Sequence, residues 1–344
     1  VNKVEVIPVW DMSNDEWLEA RKGGIGGSDA GTIVGVNKYK SAYALWGEKT
    51  GIMPTEFSGN DATDWGHDLE RPIAAHYARK HNKAVVEWPV ILRSLEEGRE
   101  FMFANLDFLI VEPSEEFPAG TVQTWRFATP PPNVEGILEV KTAGIASPGN
   151  PGAWAYNNIP ESYMLQGYHY GIVAGFHEVP KITFAALIGG QGLQVREMEW
   201  NQNIADNLII AEAEFWEQVV TKTAPPTDGS EATEAAQRQR YPRHEEGKFV
   251  EAEVDLLALI AEFEAAKEEA DAADAKRKAL RAQIVELVGD AESAKYNGTV
   301  LLTYKAGKEV ESLDADRIKK EAPEIWERFK KVRPGARTLR INSK

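Results

Sequence analysis

The sequence predicts an α/β protein with a long helix and a β-hairpin appended on its C-terminal side, on three observations. Short apolar runs read as strands at 85–92, 101–112, 136–142, 181–188 and 193–199. Between and around them lie segments whose apolar residues step three and four, the spacing of one helical face. Residues 223–250 then read as a linker by composition, with Pro225-Pro226 and Asp228-Gly229-Ser230, ahead of a charged helix that begins at Glu251. The expected division is a core over 1–222, the linker, and an extension over 251–344.

In chain order, Ser13-Asn14-Asp15-Glu16 ahead of Trp17 and Leu18 is a capping box, so a first helix runs to about Lys22 and presents Arg21 near its end. Gly23-Gly24-Ile25-Gly26-Gly27 breaks the chain, and Ser28 is placed to cap a second helix through Val34. A glycine turn feeding a helix leaves backbone N–H groups free for an anion, although most such runs are ordinary helix–helix turns. Ser41 to Thr50 forms a third helix, closed by Gly51. Ala62 to Lys80 is longer and amphipathic, with Glu70 just ahead of Pro72, which marks a bend or an early helical position. The polar, proline-rich stretch 113–135 is too long for a tight turn and reads as a surface excursion. Pro160 to Ala174 is a helix with Gln166 and Tyr170 on one face, and Asn203 to Val220 is another. Glu251 to Val288 carries a heptad seam, from Leu256, Leu259 and Phe263 through alanines to Leu280, Ile284 and Leu287. Such a seam wants a helical partner, in this chain or another. Asn297-Gly298 marks a hairpin between 293–296 and 299–305.

With 344 residues, 43% of them hydrophobic, the chain can bury a large core. It has no cysteine, which excludes disulfides, Cys-ligated zinc and iron–sulfur clusters. No signal-like or membrane-spanning apolar run occurs, so a soluble, cytoplasmic protein is expected. The net charge of −15 argues against general adhesion to nucleic acid. Residues 317–344 are the exception, with ten Lys and Arg against three Glu. That tail is either a solvated surface or a contact for phosphate or an acidic partner.

The chemistry sits in the strand runs. Glu139 and Lys141 are two apart and share a strand face, set among apolar Ile137, Leu138 and Val140. An acidic residue two before a basic one is expected roughly six times by chance in this composition, so spacing alone says little. The apolar setting says more, because a charge in a buried strand needs a partner or a metal. If the run carrying Asp107 pairs with this one, two carboxylates and an amine gather. That is the minimum set for metal-dependent phosphodiester hydrolysis: carboxylates hold Mg²⁺, and the lysine orients or deprotonates the attacking water. Because 31 residues separate Asp107 from Glu139, Glu112 and Glu135 stand as alternatives. His67, His76, His81, His169 and His177 lack metal-ligand spacing and read as surface or helix-packing residues.

Six motifs follow one another over about residues 14–200: Arg21 with Ile25-Gly26-Gly27-Ser28-Asp29-Ala30; Tyr43-x-x-Trp46-x-x-Lys49-Thr50-Gly51; Trp65-Gly66-His67-Asp68-Leu69-Glu70-Arg71-Pro72; Ala104-Asn105-Leu106-Asp107; Leu138-Glu139-Val140-Lys141-Thr142; and Gln166-x-x-x-Tyr170. Together, in this order, they resemble the YqaJ-like viral recombinase family, the phage lambda-exonuclease branch of the PD-(D/E)xK nucleases. The resemblance implies a restriction-endonuclease-like α/β/α core with a mixed central sheet. It implies that Glu70, Asp107 and Glu139 bind metal together with the Val140 carbonyl, and that Lys141 activates the water. Gln166 is then the family's glutamine, positioning nucleophile or phosphate. Arg21 and Ser28 cradle a 5′-terminal phosphate, with Tyr170 backing its helix against the same substrate site.

The activity so implied is a Mg²⁺-dependent 5′→3′ exonuclease, with Mn²⁺ able to substitute. It acts on linear double-stranded DNA ends and leaves 3′ overhangs for a recombinase or single-strand annealing protein. Family members are phage or prophage proteins of the bacterial cytoplasm and often form homo-oligomers, the trimeric ring among them. This chain departs from them in its long Asp107–Glu139 connection, where relatives usually have a short hairpin. An endonuclease without end recognition and a non-catalytic DNA-end-binding scaffold are the competing readings.

Overall fold

The computed structural model describes residues 3–53, 61–144, 154, 158–308, 312–332 and 337–341. The chain divides into two compact units, Val1–Tyr241 and Pro242–Lys344.

The first unit opens with β1 (Val4–Pro8), α1 (Asn14–Lys22), β2 (Ile25–Gly26), α2 (Gly27–Ile33), α3 (Ala42–Lys49) and α4 (Asp61–His81). Six strands follow: β3 (Ala84–Glu87), β4 (Val90–Ser94), β5 (Met102–Ala104), β6 (Phe108–Val111), β7 (Val122–Thr124) and β8 (Val134–Ala143). Then come α5 (Glu161–Ala174), β9 (Ile182–Ile188), β10 (Gly192–Met198), α6 (Gln202–Val220) and α7 (Glu231–Arg240). The main sheet runs β10-β9-β8-β6-β3-β7, and a smaller one runs β1-β4-β5-β2. The main sheet is mixed, since β8 pairs parallel with β9 and antiparallel with β6.

Strand alternation makes the layers. Leu109 and Ile137 pack into the core shared with α5 and α6, while Phe108, Ile110, Leu138 and Val140 pack with Ile73, Ala74 and Tyr77 of α4. The sheet is therefore sandwiched, the α/β/α core with a mixed central sheet that the resemblance implies. Pro72 lies inside α4, where its missing N–H deprives the Asp68 carbonyl of its helical donor.

Several local expectations are corrected. The run 85–92 is two strands in different sheets, because Trp88-Pro89 interrupts it and proline cannot donate to a ladder. The run 101–112 is likewise two strands. Asn105-Leu106-Asp107 crosses between the sheets, so Asp107 sits at the mouth of β6 rather than inside a strand. Stretch 113–135 is not merely a surface excursion: β7 within it extends the main sheet beside β3, and beneath it Phe108 still pairs with Leu138. α2 is capped at Gly26 rather than Ser28, because the Asp29 carboxylate reaches back to accept the Gly26 N–H at 3.1 Å.

The linker expected over 223–250 contains α7, whose Ala236 joins the core and whose Arg240 donates to the Tyr43 hydroxyl at 2.7 Å. Its first turn is set by Ser230, which accepts the Thr233 N–H at 3.1 Å. β1 lies outside every run that reads as a strand in the sequence.

The second unit holds α8 (Val254–Val288), the hairpin β11 (Ser293–Tyr296) and β12 (Thr299–Thr303), α9 (Ala315–Glu321) and α10 (Pro323–Phe329). Asn297 and Gly298, at φ 49° and 81°, supply the two left-handed positions that the tight hairpin needs. The basic tail is partly helical and partly self-paired, as in Arg317–Glu321 at 2.9 Å and Lys330–Glu327 at 2.5 Å. Arg333 and Lys344 lie outside the described residues. Among those described, no helix is long and apolar enough to cross a membrane.

Candidate active site

Leu138 and Val140 take the α4 face of β8, so Glu139 and Lys141 turn toward α5. Glu139 is fully buried. Its Oε1 accepts from Lys141 Nζ at 2.6 Å and from Gln166 Nε2 at 2.7 Å, while its Oε2 has no hydrogen-bond partner. Leaving a buried acceptor unmet costs on the order of 1–3 kcal/mol, more on a charged group. Asp107 joins from the sheet crossing, its Oδ2 accepting the Val140 N–H at 2.9 Å. The Val140 N–H is thus taken by Asp107. Of the alternative carboxylates, Glu112 is exposed and Glu135 pairs with Lys83 at 2.8 Å; Asp107 is the one that reaches the cluster.

Glu70 approaches from α4 and is held at 3.1 Å by His67 Nδ1. One turn earlier, a Cβ on Gly66 would lie 3.7 Å from Thr142 Oγ1, which sets this part of α4 along the end of β8. Burial, then the charge of Asp107, pushes Glu139 up to about 8 against the pull of Lys141. The same two causes push Glu70 up to about 7 against the pull of His67. For Lys141, burial alone would lower the ammonium, but Glu139 and Asp107 outweigh it and hold it above its ordinary range. The lysine is therefore charged at neutral pH, while the carboxyls compete for negative charge. Among the described residues, no three Asp, Glu or His groups form a ready-made metal cage. Asp107 is in electrostatic reach of both Glu70 and Glu139, which is short of a finished coordination shell.

Gln166 Nε2 also donates to the Tyr170 hydroxyl at 2.9 Å, the helical i,i+4 pair expected on α5. The Tyr170 ring lies against Gly27, where a Cβ would stand 2.4 Å from it, so only glycine fits. Arg21 lies beside Gly26 and donates to Ser28 Oγ at 3.4 Å, with its guanidinium 4.5 Å from the Trp17 ring centroid. Arg21 and Tyr170 thus border one small recess with Gly26, Gly27 and Asn105, and Ser28 is tied to it through Arg21. The backbone of the glycine turn is less open to an anion than expected, because Asp29 takes the Gly26 N–H. Asp29 pairs with Lys49 at 2.9 Å, and Lys49 also donates to the Gly24 carbonyl at 2.6 Å. Burial opposes ionisation of Asp29, but Lys49 outweighs it and holds the carboxyl below its usual range. Lys49 of the Tyr43-x-x-Trp46-x-x-Lys49 motif therefore clamps the turn.

Two features escaped sequence reading. His169 is the helix-packing residue of the two kinds expected, but its partners were not foreseen: it is fully buried, with Nδ1 2.9 Å from Glu212 Oε1 and Nε2 2.9 Å from the Phe103 carbonyl. Its sequence signal is only its place on the helix of Gln166; the partners lie on α6 and β5. Asn105, two residues before Asp107, turns a partnerless Oδ1 into the protein beside Arg21 and Tyr170.

Residues 16–177 match the family model described as the YqaJ-like viral recombinase domain. The alkaline exonuclease LHK-Exo of Laribacter hongkongensis shares 14% identity with the chain over 65% of this chain and 97% of its own, at a TM-score of 0.44. The complex of LHK-Exo with dAMP gives 15% identity over 61% and 94%, at 0.45. The uncharacterized protein YqaJ of Bacillus subtilis (strain 168) is 33% identical over 322 residues, 93% of this chain and 92% of that one. With nearly the whole length shared with that relative, and the family model matched from α1 through α5, the chain belongs to the YqaJ-like viral recombinase family.

Proposed function

We propose that this protein is a Mg²⁺-dependent 5′→3′ exonuclease that resects linear double-stranded DNA and leaves 3′ overhangs for a recombinase or annealing partner. The observation that carries the reading is the partnerless Oε2 of fully buried Glu139, crowded by Asp107 and beside the Lys141 ammonium. Like charges gathered around an unmet carboxylate oxygen suit a divalent cation, and Glu70, Asp107 and Glu139, with the Val140 carbonyl, would hold it. Bound there, the ion supplies phosphate neutralisation and acidifies a water.

The protein's own groups do the rest. Lys141 and Gln166 both engage Oε1 and so leave Oε2 as the open ligand. Lys141, charged at neutral pH, orients the water or phosphate by donating to it. Arg21, which borders the recess beside Tyr170, and Ser28, to which it donates, take the terminal phosphate and set the register of the end.

End-labelled linear duplexes, set against covalently closed circles, test the reading. Linear DNA is degraded from 5′-phosphorylated ends, circles persist, and a chelator abolishes turnover until Mg²⁺ or Mn²⁺ is restored. Circles cut as fast as linear DNA would establish an endonuclease instead. Chelator-resistant cleavage would remove the metal from the mechanism.

A further inference from the structure

We propose that α8 is a self-association element, pairing antiparallel with α8 of a second copy of this chain. Its seam is written in two halves. Leu256, Leu259 and Phe263 lie at one end, Leu280, Ile284 and Leu287 at the other, and Ala266, Ala270 and Ala273 between. No α8 residue is buried, and Leu259, Phe263 and Leu287 are exposed at 62%, 50% and 88%. A helix of 35 residues, about 50 Å long, is not kept in water by such a stripe without cause.

Charge and side-chain size decide both the occupant and its direction. Residues 254–271 hold six acidic groups against one basic, whereas 272–288 hold four basic against two acidic. A helix so polarised is complementary to its own reverse. In heptad terms, parallel pairing would set Glu262 against Lys267 favourably but Glu269 against Asp274 and Lys276 against Arg281, and would stack Arg277 on its own copy in the seam. Antiparallel pairing sets Glu269 against Lys276 and Lys267 against Asp274, each twice by two-fold symmetry. It also layers Leu256 on Leu287, Leu259 on Ile284 and Phe263 on Leu280, and faces Arg277 with Ala266. The central alanines let the two backbones approach closely at the axis.

The absence of cysteine makes a direct test possible. Full-length Leu256→Cys and Leu287→Cys variants, mixed and oxidised, should form a 256–287 disulfide between chains, and neither variant alone should cross-link. Both sites are exposed at 42% or more, so the fold tolerates them. Sedimentation should show dimers, or higher assemblies built from them, and Leu280→Glu with Ile284→Glu should weaken association about 100-fold. Cross-linking of Leu256→Cys with itself would overturn the proposal in favour of parallel pairing. A species that stays monomeric at tens of micromolar, or an oligomer unaffected by the Glu substitutions, would overturn it outright.

Discussion

α5 carries two buried polar clusters a turn apart, and they are built on opposite plans. Around His169 every group is met: one ring nitrogen faces Glu212, the other the Phe103 carbonyl, and both partners are within 3.0 Å. Around Glu139 the groups are in conflict. One carboxylate oxygen is doubly engaged, the other receives no donor, and burial, then the neighbouring Asp107 carboxylate, drives the pKa upward. A satisfied buried pair fixes a core and has no need of a ligand. An unsatisfied one stores a penalty that a bound cation can relieve, and such sites are where function concentrates. The contrast separates the residue that holds α5 in place from the residues that α5 presents.

The largest expected difference is in Asp107→Asn. The amide still accepts the Val140 N–H but removes the charge that crowds Glu139. DNA hydrolysis should fall by about 10³-fold, while the ion-free thermal midpoint holds or rises. A variant that loses stability along with activity would put Asp107 among the structural residues and erase the contrast.

The His169 cluster should behave in reverse. Glu212→Leu leaves an imidazole buried without its counter-charge and should cost about 3 kcal/mol in urea unfolding. Activity per folded molecule should change far less than in Asp107→Asn. Smaller again is Arg21→Ala, which removes the guanidinium beside Ser28. Preference for a 5′-phosphate over a 5′-hydroxyl end should drop about tenfold with little change in stability, and an unchanged preference would detach the recess from end binding.

How much of this was legible depended on distance along the chain. Glu139 and Lys141 could be paired on one face because strand side chains repeat every second residue, and Gln166 with Tyr170 because helical ones repeat every fourth. The capping box at Ser13 and Glu16 is similarly local and is formed as read. Partnerships that cross the fold had no such rule. His169 finds Glu212 forty-three residues later, and Lys49 reaches back over α2 to Gly24. The chain changes sheets at Trp88-Pro89 and again at Asn105-Leu106-Asp107, because which sheet a short apolar run joins is settled by the whole core rather than by the run. Asp107 was therefore found by its motif and misplaced by its local pattern.

The smallest effect, and the one that resolves both clusters in one experiment, is the dependence of stability on pH. Glu139 and Glu70 are raised from 4.5 to about 8 and about 7 by burial and by Asp107. A carboxyl raised on folding binds its proton more tightly in the native state, so its penalty is absent below pH 4.5 and complete above about 8. Stability of the ion-free protein should decline across that window. His169 is also raised: burial works against it, but Glu212 and the Phe103 carbonyl prevail. Its contribution is whole below 6.5 and is lost as pH climbs through the folded value. Burial raises Glu212 as well, so the pair declines in the same direction. Thermal midpoints against pH separate the two sources. Asp107→Asn or added Mg²⁺ should flatten the first decline and leave the second, while Glu212→Gln should flatten the second and leave the first. If Mg²⁺ shifts every pH equally, the ion is binding somewhere other than the crowded carboxylates.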